Sequence, residues 1–263
     1  MESKMRVMII GHGYVGSAVA SVFTDEEKVI IDPKLSDDVV ANHDGEKFDA
    51  VFVCVDTPKG NNHGLLDMIL AQVNSHIGNN TPVCCKSTST PDYYYSAEQK
   101  YQNIRVLHSP EYLDSRHNIE KFQNQNFCII GGEREAARIV ADIFISRLGK
   151  LENERVGITD IRSAALIKYA ENFFLATKVS VYNELYRVHQ SIGCESTFDE
   201  FRMMAGMDER IGTSHTQVPG WDGKFGWGGH CFIKDNYELE QFSQSPLVKF
   251  INELNEVHRS WEE

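Results

Sequence analysis

The chain has 263 residues, of which 41% are hydrophobic and 24% charged, and its formal net charge is −12. This length allows a large buried core and predicts two domains. The negative net charge argues against a nucleic-acid partner, because proteins that bind nucleic acids present a basic surface. No apolar run is long enough to span a bilayer and the N-terminus has no signal-peptide pattern, so we expect a cytoplasmic protein with no membrane partner.

The first part of the chain alternates short apolar runs with amphipathic segments. Runs rich in Val, Ile and Phe predict strands at Arg6–Ile10, Lys28–Ile31, Ala50–Val55, Pro82–Lys86, Arg105–Leu107 and Asn126–Ile130. The segments between them predict helices at Tyr14–Phe23, Leu66–His76 and Glu133–Leu148. This alternation predicts an α/β fold over residues 1–155, a doubly wound Rossmann-type parallel sheet.

From about residue 156 the pattern becomes helical. Thr159–Ile192 contains no Pro or Gly and repeats its apolar residues at helical spacing, which predicts one long central helix. Further helices are predicted at Thr197–Ala205, Cys231–Phe242 and Pro246–Trp261. We therefore expect an all-α second domain over residues 156–263, in which the long helix is a domain spine or a dimer seam.

The six cysteines show no pattern typical of disulfides or zinc sites. None lies in a Cys-x-x-Cys pair, and four fall in apolar runs that predict strands. We therefore expect reduced thiols and no bound metal.

A glycine-rich turn follows the first predicted strand and opens a helix. In such a turn the first glycine permits the bend, the second lets the backbone approach a pyrophosphate, and the third packs helix on strand. Asp32 ends the second strand, where a carboxylate accepts hydrogen bonds from a ribose and repels a 2′-phosphate. The pattern therefore favours a turn that binds NAD over the alternative, a glycine turn that binds no ligand. The predicted cofactor residues here are Gly11, Gly13, Tyr14, Val15, Gly16, Asp32 and Lys34.

Two further strand ends carry threonines. Thr57 follows the third strand and Thr88 the fourth. Ligands of open α/β sheets bind beyond the carboxyl ends of strands, so each threonine either contacts cofactor or substrate or caps the next helix.

A second glycine-rich turn, FGWGGHCFIKD, carries Cys231. If a helix begins near Cys231, its N-terminal amides and dipole favour the thiolate. Asp235 then lies one turn along on the same face. The alternative is a buried cysteine beside a helix cap. His230 is expected to be a bystander, because sequence neighbours on a helix point in different directions.

Other candidate groups lie between these turns. Glu111 follows the fifth predicted strand. Lys168 and Asn172 are spaced i, i+4 on the long helix, so one apolar face carries both donors. Such a pair can donate hydrogen bonds to the same ligand oxygen. The alternative is that Lys168 lies at the solvent-exposed edge of the helix face, as a single lysine there usually does.

Seven motifs in order resemble the UDP-glucose/GDP-mannose dehydrogenase family: GHGYVG, the strand end Thr57-Pro58, KST, SPEYL, AxxxKYAENxFLAxK followed by Asn183-Glu184, MDERIG and FGWGGHCFIKD. The resemblance covers residues 6 to about 240. It implies oxidation of the C6 alcohol of a nucleotide sugar to a carboxylate, with two hydride transfers to NAD. UDP-glucose is the first choice of substrate. The resemblance also implies a homodimer built through the helix around 159–192.

The resemblance assigns roles to residues that match its motifs. Cys231 is the expected nucleophile, which forms a thiohemiacetal and then a thioester. Lys168 and Asn172 are expected to stabilise the oxyanion. Asp235 is expected to position water or take protons.

Further roles follow from the same resemblance. Glu111, with Thr88, is expected to activate water for thioester hydrolysis. Lys234 is expected near the cofactor or the substrate. Thr57 is expected to bind the cofactor because of its place at the end of the third strand. The expected substrate-binding residues are Glu111, Tyr112, Leu113, Lys168, Asn172, Arg210, Phe225 and Gly228, with Arg210 reaching across a dimer.

Some positions depart from the family's pattern. Ser115 stands where many relatives carry a second glutamate, Asp56 replaces a strand-end proline, and Ile233 stands where proline is common. Relatives continue into a third domain that grips the nucleotide, whereas this sequence ends at Glu263. We therefore expect either a naturally short version or a truncation.

Two other functions stay open at this point. One is a two-electron β-hydroxyacid-type dehydrogenase, which shares the N-terminal sheet and a Lys-x-x-x-Asn pair but does not need Cys231. The other is a non-catalytic NAD-binding protein, or a partner subunit whose third domain comes from another chain.

Overall fold

The computed structural model describes residues 5–60, 63–112 and 117–261. The chain divides into two compact units, Met1–Lys168 and Tyr169–Glu263. This division falls inside one long helix. The domain boundary predicted between residues 155 and 156 stays a prediction. Among the described residues, no helix has the length and apolar character needed to cross a membrane.

The first unit is built around one sheet. Its described strands are β1 Val7–Ile10, β2 Lys28–Ile31, β3 Ala50–Val53, β4 Thr81–Cys85, β5 Ile104–His108, β6 Cys128–Gly131 and β7 Val156–Thr159. They lie in the order β2-β1-β3-β4-β5-β6-β7. Neighbours pair in parallel except β5 and β6, which are antiparallel. The doubly wound sheet is confirmed, with an antiparallel step and an added strand, β7.

Helices cover both faces of this sheet. They are α1 Tyr14–Ala20, α2 Gly64–His76, α3 Pro91–Lys100, α4 Asn118–Gln123 and α5 Arg134–Arg147. Alternate residues of β1 enter separate cores: Val7 packs in the core that includes residues of α1 and α5, and Met8 in the core that includes residues of α2 and α3. All four residues of β1 are buried, which explains its continuous apolar run.

The second unit is helical, as predicted. The long helix α6 spans Ile161–Ser191 and enters this unit at Tyr169, and it is followed by α7 Phe198–Ala205, α8 His230–Ser243 and α9 Pro246–Arg259. A capping box at Thr197 starts α7. The core of the unit includes Tyr169, Trp227 and Leu239.

Candidate active site

The glycine turn between β1 and α1 has the shape expected for a dinucleotide. Gly11 has a φ of 89° and donates its amide to Ile31 O over 2.9 Å. A side chain at Gly16 would collide with the Gly11 carbonyl, so α1 packs directly on the turn. A Cβ at Gly13 would meet no atom within 4 Å. The space over Gly13 is therefore open to a ligand, and the chain's own residues fit NAD.

Asp32 is fixed at the end of β2 beside this turn. Its Oδ1 accepts the Lys34 amide over 2.8 Å, and its Oδ2 accepts the His12 amide over 2.7 Å. These two bonds hold the pKa of Asp32 below its ordinary value. The ionised carboxylate keeps lone pairs for a ribose hydroxyl.

Tyr14 and Val15 begin α1 in different environments. Tyr14 is 69% exposed, whereas Val15 packs against the core under the sheet. The Val15 side chain therefore faces away from a ligand in the turn, and its predicted cofactor contact is left to its backbone.

The threonines beyond β3 and β4 are joined to each other. Thr57 Oγ1 donates to the Thr88 carbonyl over 2.6 Å. The N-cap of α3 is Thr90, so capping is the wrong interpretation of Thr88. The Thr57 hydroxyl likewise ties two strand ends together rather than capping a helix. Their predicted ligand contacts stay predictions.

Lys86, which is absent from the predicted site, forms a buried ion pair with Glu111. Lys86 Nζ lies 3.2 Å from Glu111 Oε2, with the two side chains 0% and 8% exposed. Lys86 follows β4 and Glu111 lies just beyond β5, so paired strands bring both to one edge of the sheet. Burial disfavours the ammonium charge and the nearby Glu111 carboxylate favours it, and the net effect is a raised pKa for Lys86. The KST motif was the available signal for Lys86.

Lys168 and Tyr112 are also in contact within the first unit. The Lys168 ammonium lies 4.9 Å from the centroid of the Tyr112 ring, and the Tyr112 amide donates to Glu111 Oε1 over 2.8 Å. Three of the predicted substrate residues therefore lie close together. Leu113 and Ser115 lie outside the described residues.

In the second unit Asn172, Lys234 and Asp235 form a buried polar cluster. Asn172 Nδ2 donates to Asp235 Oδ2 over 2.6 Å, and Lys234 Nζ lies 2.8 Å from Asp235 Oδ1. Burial disfavours the Lys234 charge, but Asp235 and Glu238 outweigh this and raise the pKa of Lys234. The Asp235 carboxylate is thus held from two sides.

Glu238 belongs to the same cluster but is absent from the predicted site. Its Oε2 lies 3.6 Å from Lys234 Nζ and accepts the Tyr169 hydroxyl over 2.7 Å. The i, i+4 spacing of Lys234 and Glu238 was the sequence signal for this pair. Lys234 is therefore surrounded by carboxylates, and its predicted cofactor contact stays a prediction.

Cys231 lies on the first turn of α8, which begins at His230. The predicted helix start is confirmed, and Gly229 at φ 85° leaves the first amides without a side-chain cap. Cys231 is exposed, so a buried cysteine is the wrong interpretation. By contrast, burial raises the pKa of Cys84 to about 12. All six cysteines are described, and none forms a disulfide. The position of Cys231 suits a reactive thiolate.

The remaining predicted substrate residues differ in exposure. Arg210 is 89% exposed and pairs with Asp208 over 2.6 Å. Phe225 is buried and packs against Tyr186 and Trp261. Gly228 lies against the Arg259 side chain. Within the described residues no group of three or more His, Cys, Asp or Glu could hold a metal ion.

The mostly parallel sheet and the glycine turn are those of a dinucleotide-binding protein. The NAD binding domain of the UDP-glucose/GDP-mannose dehydrogenase family matches residues 28–147, and the central domain of that family matches residues 162–259. The chain belongs to this family, and NAD is its cofactor.

Individual relatives agree with this assignment. UDP-glucose 6-dehydrogenase AglM of Haloferax volcanii is 26% identical, over 88% of this chain and 64% of its own length. UDP-glucose 6-dehydrogenase YwqF of Bacillus subtilis is 30% identical, over 74% of this chain and 44% of its own length. The chain thus spans less than two thirds of these relatives.

Solved structures share the fold. A UDP-glucose dehydrogenase from Pyrobaculum islandicum superposes with a TM-score of 0.80 at 21% identity, over 98% of this chain and 69% of that one. A UDP-D-ManNAc dehydrogenase from Pyrococcus horikoshii gives 0.77 at 21% identity, over 96% and 68%.

Proposed function

We propose that the protein oxidises a nucleotide sugar, UDP-glucose first of all, at C6 from alcohol to carboxylate. The observation that carries the proposal is the exposed Cys231 on the first turn of α8, one turn before a fixed Asp235. A two-electron alcohol dehydrogenase has no use for such a thiol. When bound, NAD accepts the hydrides that the two oxidation stages release.

Four side chains of the chain have separate roles in the proposed reaction. Cys231 Sγ adds to the aldehyde carbon while the thiol proton passes to the carbonyl oxygen, which gives a thiohemiacetal. Loss of a hydride and of the hydroxyl proton then converts the thiohemiacetal to a thioester. Lys168 and Asn172 supply donors for the oxygen that becomes negative. Asp235 takes a proton or orders water from its place between Asn172 and Lys234.

Hydrolysis completes the proposed reaction. Glu111, with Thr88, orients the water that attacks the thioester carbon, and release of the thiol returns Cys231. Summed over both stages, one alcohol, two NAD⁺ and one water give one carboxylate, two NADH and three protons. The Lys86 ammonium, 3.2 Å from Glu111, keeps that carboxylate in place.

The test is the yield of NADH from limiting UDP-glucose, measured by absorbance. We expect two NADH per sugar. Cys231→Ser should lower kcat by about 10³-fold or more, because the covalent stage loses its nucleophile. Cys194→Ser is the matched control, since Cys194 is the other exposed cysteine and should leave turnover unchanged.

Other results would redirect the proposal. One NADH per sugar, unaffected by Cys231→Ser, would show a two-electron dehydrogenase. NAD binding without turnover on UDP-glucose, a UDP-N-acetylhexosamine or GDP-mannose would show a non-catalytic chain, or one that requires residues its longer relatives possess.

We also propose a homodimer and a cytoplasmic location. An apolar groove of about 270 Å³ lies between α6 and α9 in the second unit, lined by side chains that include Val181, Val188 and Phe250. A second copy that docks there through α6 would bury this surface, and Arg210 would reach the partner's site. A reduced Cys231 favours the cytoplasm.

A further inference from the structure

The loop that leads into Cys231 is held by α9. Gly220–Gly229 contains no helix or strand, and it must set where α8 begins. Hydrogen bonds from α6 and α9 replace the missing regular structure. One of the side chains that hold the loop is Asn255, which is buried, with 7% of its surface exposed.

Asn255 binds both backbone groups of one loop residue. The Trp227 amide donates to Asn255 Oδ1 over 2.7 Å, and Asn255 Nδ2 donates to the Trp227 carbonyl over 3.0 Å. This is the pairing that a neighbouring strand would give. Because both atoms of the amide are used, no other natural side chain of this size supplies the same pair.

The opposite side of the loop is held by α6. The Gly226 amide donates to Asn183 Oδ1 over 2.8 Å, and Trp227 Nε1 donates to Ser180 Oγ over 3.0 Å. Trp227 is therefore fixed through its main chain and its indole at once. A buried backbone fixed from two helices has little freedom to move.

The glycines of the loop are the condition for this close approach. A Cβ on Gly226 would lie 2.5 Å from Asn255 Oδ1 and 3.0 Å from His258 Cβ. A Cβ on Gly228 would lie 2.8 Å from Arg259 Nη2. At Gly226, where φ is also 69°, a side chain would be strained and would crowd α9, so glycine suits this position.

Arg259 closes the outer side of the same contact. Its Nη1 donates to Asp222 Oδ2 over 2.8 Å and to the Phe225 carbonyl over 3.3 Å. Asn255 and Arg259 lie one turn apart on α9. One face of α9 therefore holds the loop from Asp222 to Gly228.

We propose that Asn255 is a positioning residue for Cys231. By fixing Trp227, it sets the path of Gly228 and Gly229 and hence the start of α8 at His230. The uncapped first amides of α8 then lie in the same helical turn as Cys231. This inference deepens the proposed function and rests on it for its meaning in catalysis, but the geometry can be tested without turnover.

The test measures alkylation of Cys231 by iodoacetamide in the full chain. Cys194→Ser is present throughout, because Cys231 is then the one exposed thiol among the cysteines, all of which are described. Asn255→Leu removes both bonds to Trp227. A loosened loop frays the first turn of α8 and weakens its effect on the thiolate, so we expect alkylation about two- to fivefold slower. Peptide mass spectrometry confirms the modified site.

Asn252→Leu is the matched control. Asn252 lies on the same helix and also makes two hydrogen bonds, but its Nδ2 donates both of them to α8, at Asn236 O and Glu240 Oε2, and among the described residues it makes none to the loop. It should leave the alkylation rate unchanged. If Asn255→Leu does not fold by circular dichroism, Asn255→Asp keeps the shape and the acceptor but turns a carboxylate oxygen toward the Trp227 carbonyl, and it should slow alkylation as well.

Equal alkylation rates in the parent, the folded Asn255 variant and Asn252→Leu would overturn the inference. Slower alkylation in both Asn255→Leu and Asn252→Leu would also overturn it, because the effect would then be general loosening of α9. If Asn255→Leu alone slows alkylation while Cys231→Ser keeps the full NADH yield, the positioning role stands and the covalent role of Cys231 fails.

Discussion

At the scale of single residues, Lys86 is a charged side chain buried in the core of the first unit. Its ammonium is fully buried, lies 3.2 Å from Glu111 Oε2 and 3.4 Å from Ser109 Oγ, and sits over the Phe144 ring at 5.5 Å. A buried charge requires a partner of opposite sign. Glu111 is therefore a structural partner as well as a predicted catalytic group.

Removing the cation should expose this dependence. Lys86→Met leaves the Glu111 carboxylate buried without its partner, so we expect the free energy of unfolding to fall by about 3–5 kcal/mol. Lys86→Met combined with Glu111→Gln should recover part of the loss. Urea unfolding gives both values.

Lys100→Met is the control for this series. Its pair with Asp67 is exposed, with side chains 57% and 38% accessible, so it should change stability far less. A loss for Lys86→Met no larger than for Lys100→Met would show that the buried pair contributes little.

At the scale of elements, the turn between β1 and α1 contains one glycine needed for packing and another that faces the ligand space. Gly16 contacts the Gly11 carbonyl and so fixes how α1 packs, whereas Gly13 faces open space. The two glycines therefore have different tolerances for a side chain. Each can be replaced by alanine with a distinct expectation.

Gly13→Ala should leave the fold intact and weaken NAD binding by about tenfold or more, which is about 1.4 kcal/mol. The new methyl group meets no protein atom but occupies the approach to a pyrophosphate. Isothermal titration gives the Kd and thermal unfolding gives the Tm. Gly16→Ala is the comparison, because it should lower the Tm through overpacking. Unchanged NAD affinity in Gly13→Ala would place the phosphates elsewhere.

Most elements could be predicted because their apolar residues follow a clear period. α6 was predicted as Thr159–Ile192 and spans Ile161–Ser191. The sequence does not predict β7, because its four residues, Val-Gly-Ile-Thr, are interrupted by a glycine and are all half-buried, so there is no continuous apolar run. α3 was missed because three consecutive tyrosines resemble a strand, and its start depends on the Thr90 cap and Pro91.

The sequence predicts the residues of the candidate site that lie within short motifs. It does not predict those that come together only through tertiary packing. Cys231 and Asp235 lie on one short segment, so their spacing reveals their helix. The pair of Lys86 and Glu111 depends on the register of β4 and β5, and Asn255 depends on how α9 packs. Such long-range contacts leave no local pattern in the sequence.

At the scale of the whole molecule, the groove between α6 and α9 is the surface that the proposed dimer would cover. Val188 on α6 and Phe250 on α9 are 51% and 56% exposed. Contiguous apolar side chains on a surface mark sites of association. The proposal therefore predicts that a charge in this groove separates the copies.

Val188→Glu should convert the dimer to a monomer at micromolar concentration, because two carboxylates would have to enter an apolar interface. Size-exclusion chromatography with light scattering gives the mass. Ile139→Glu on α5 is the control, since Ile139 is similarly exposed at 46% but lies in the first unit. A monomeric parent protein, or a dimer that survives Val188→Glu, would rule out this interface.

The position of α9 in the sequence has a consequence for synthesis on the ribosome. Cys231 emerges before Asn255 and Arg259, so the thiol is made before the side chains that fasten its loop. N-terminal domains generally fold first during translation. A nascent chain stalled before Asn255 thus carries Cys231 on a loop that α9 does not yet hold. The proposal therefore places the final positioning of Cys231 after α9 has emerged from the ribosome.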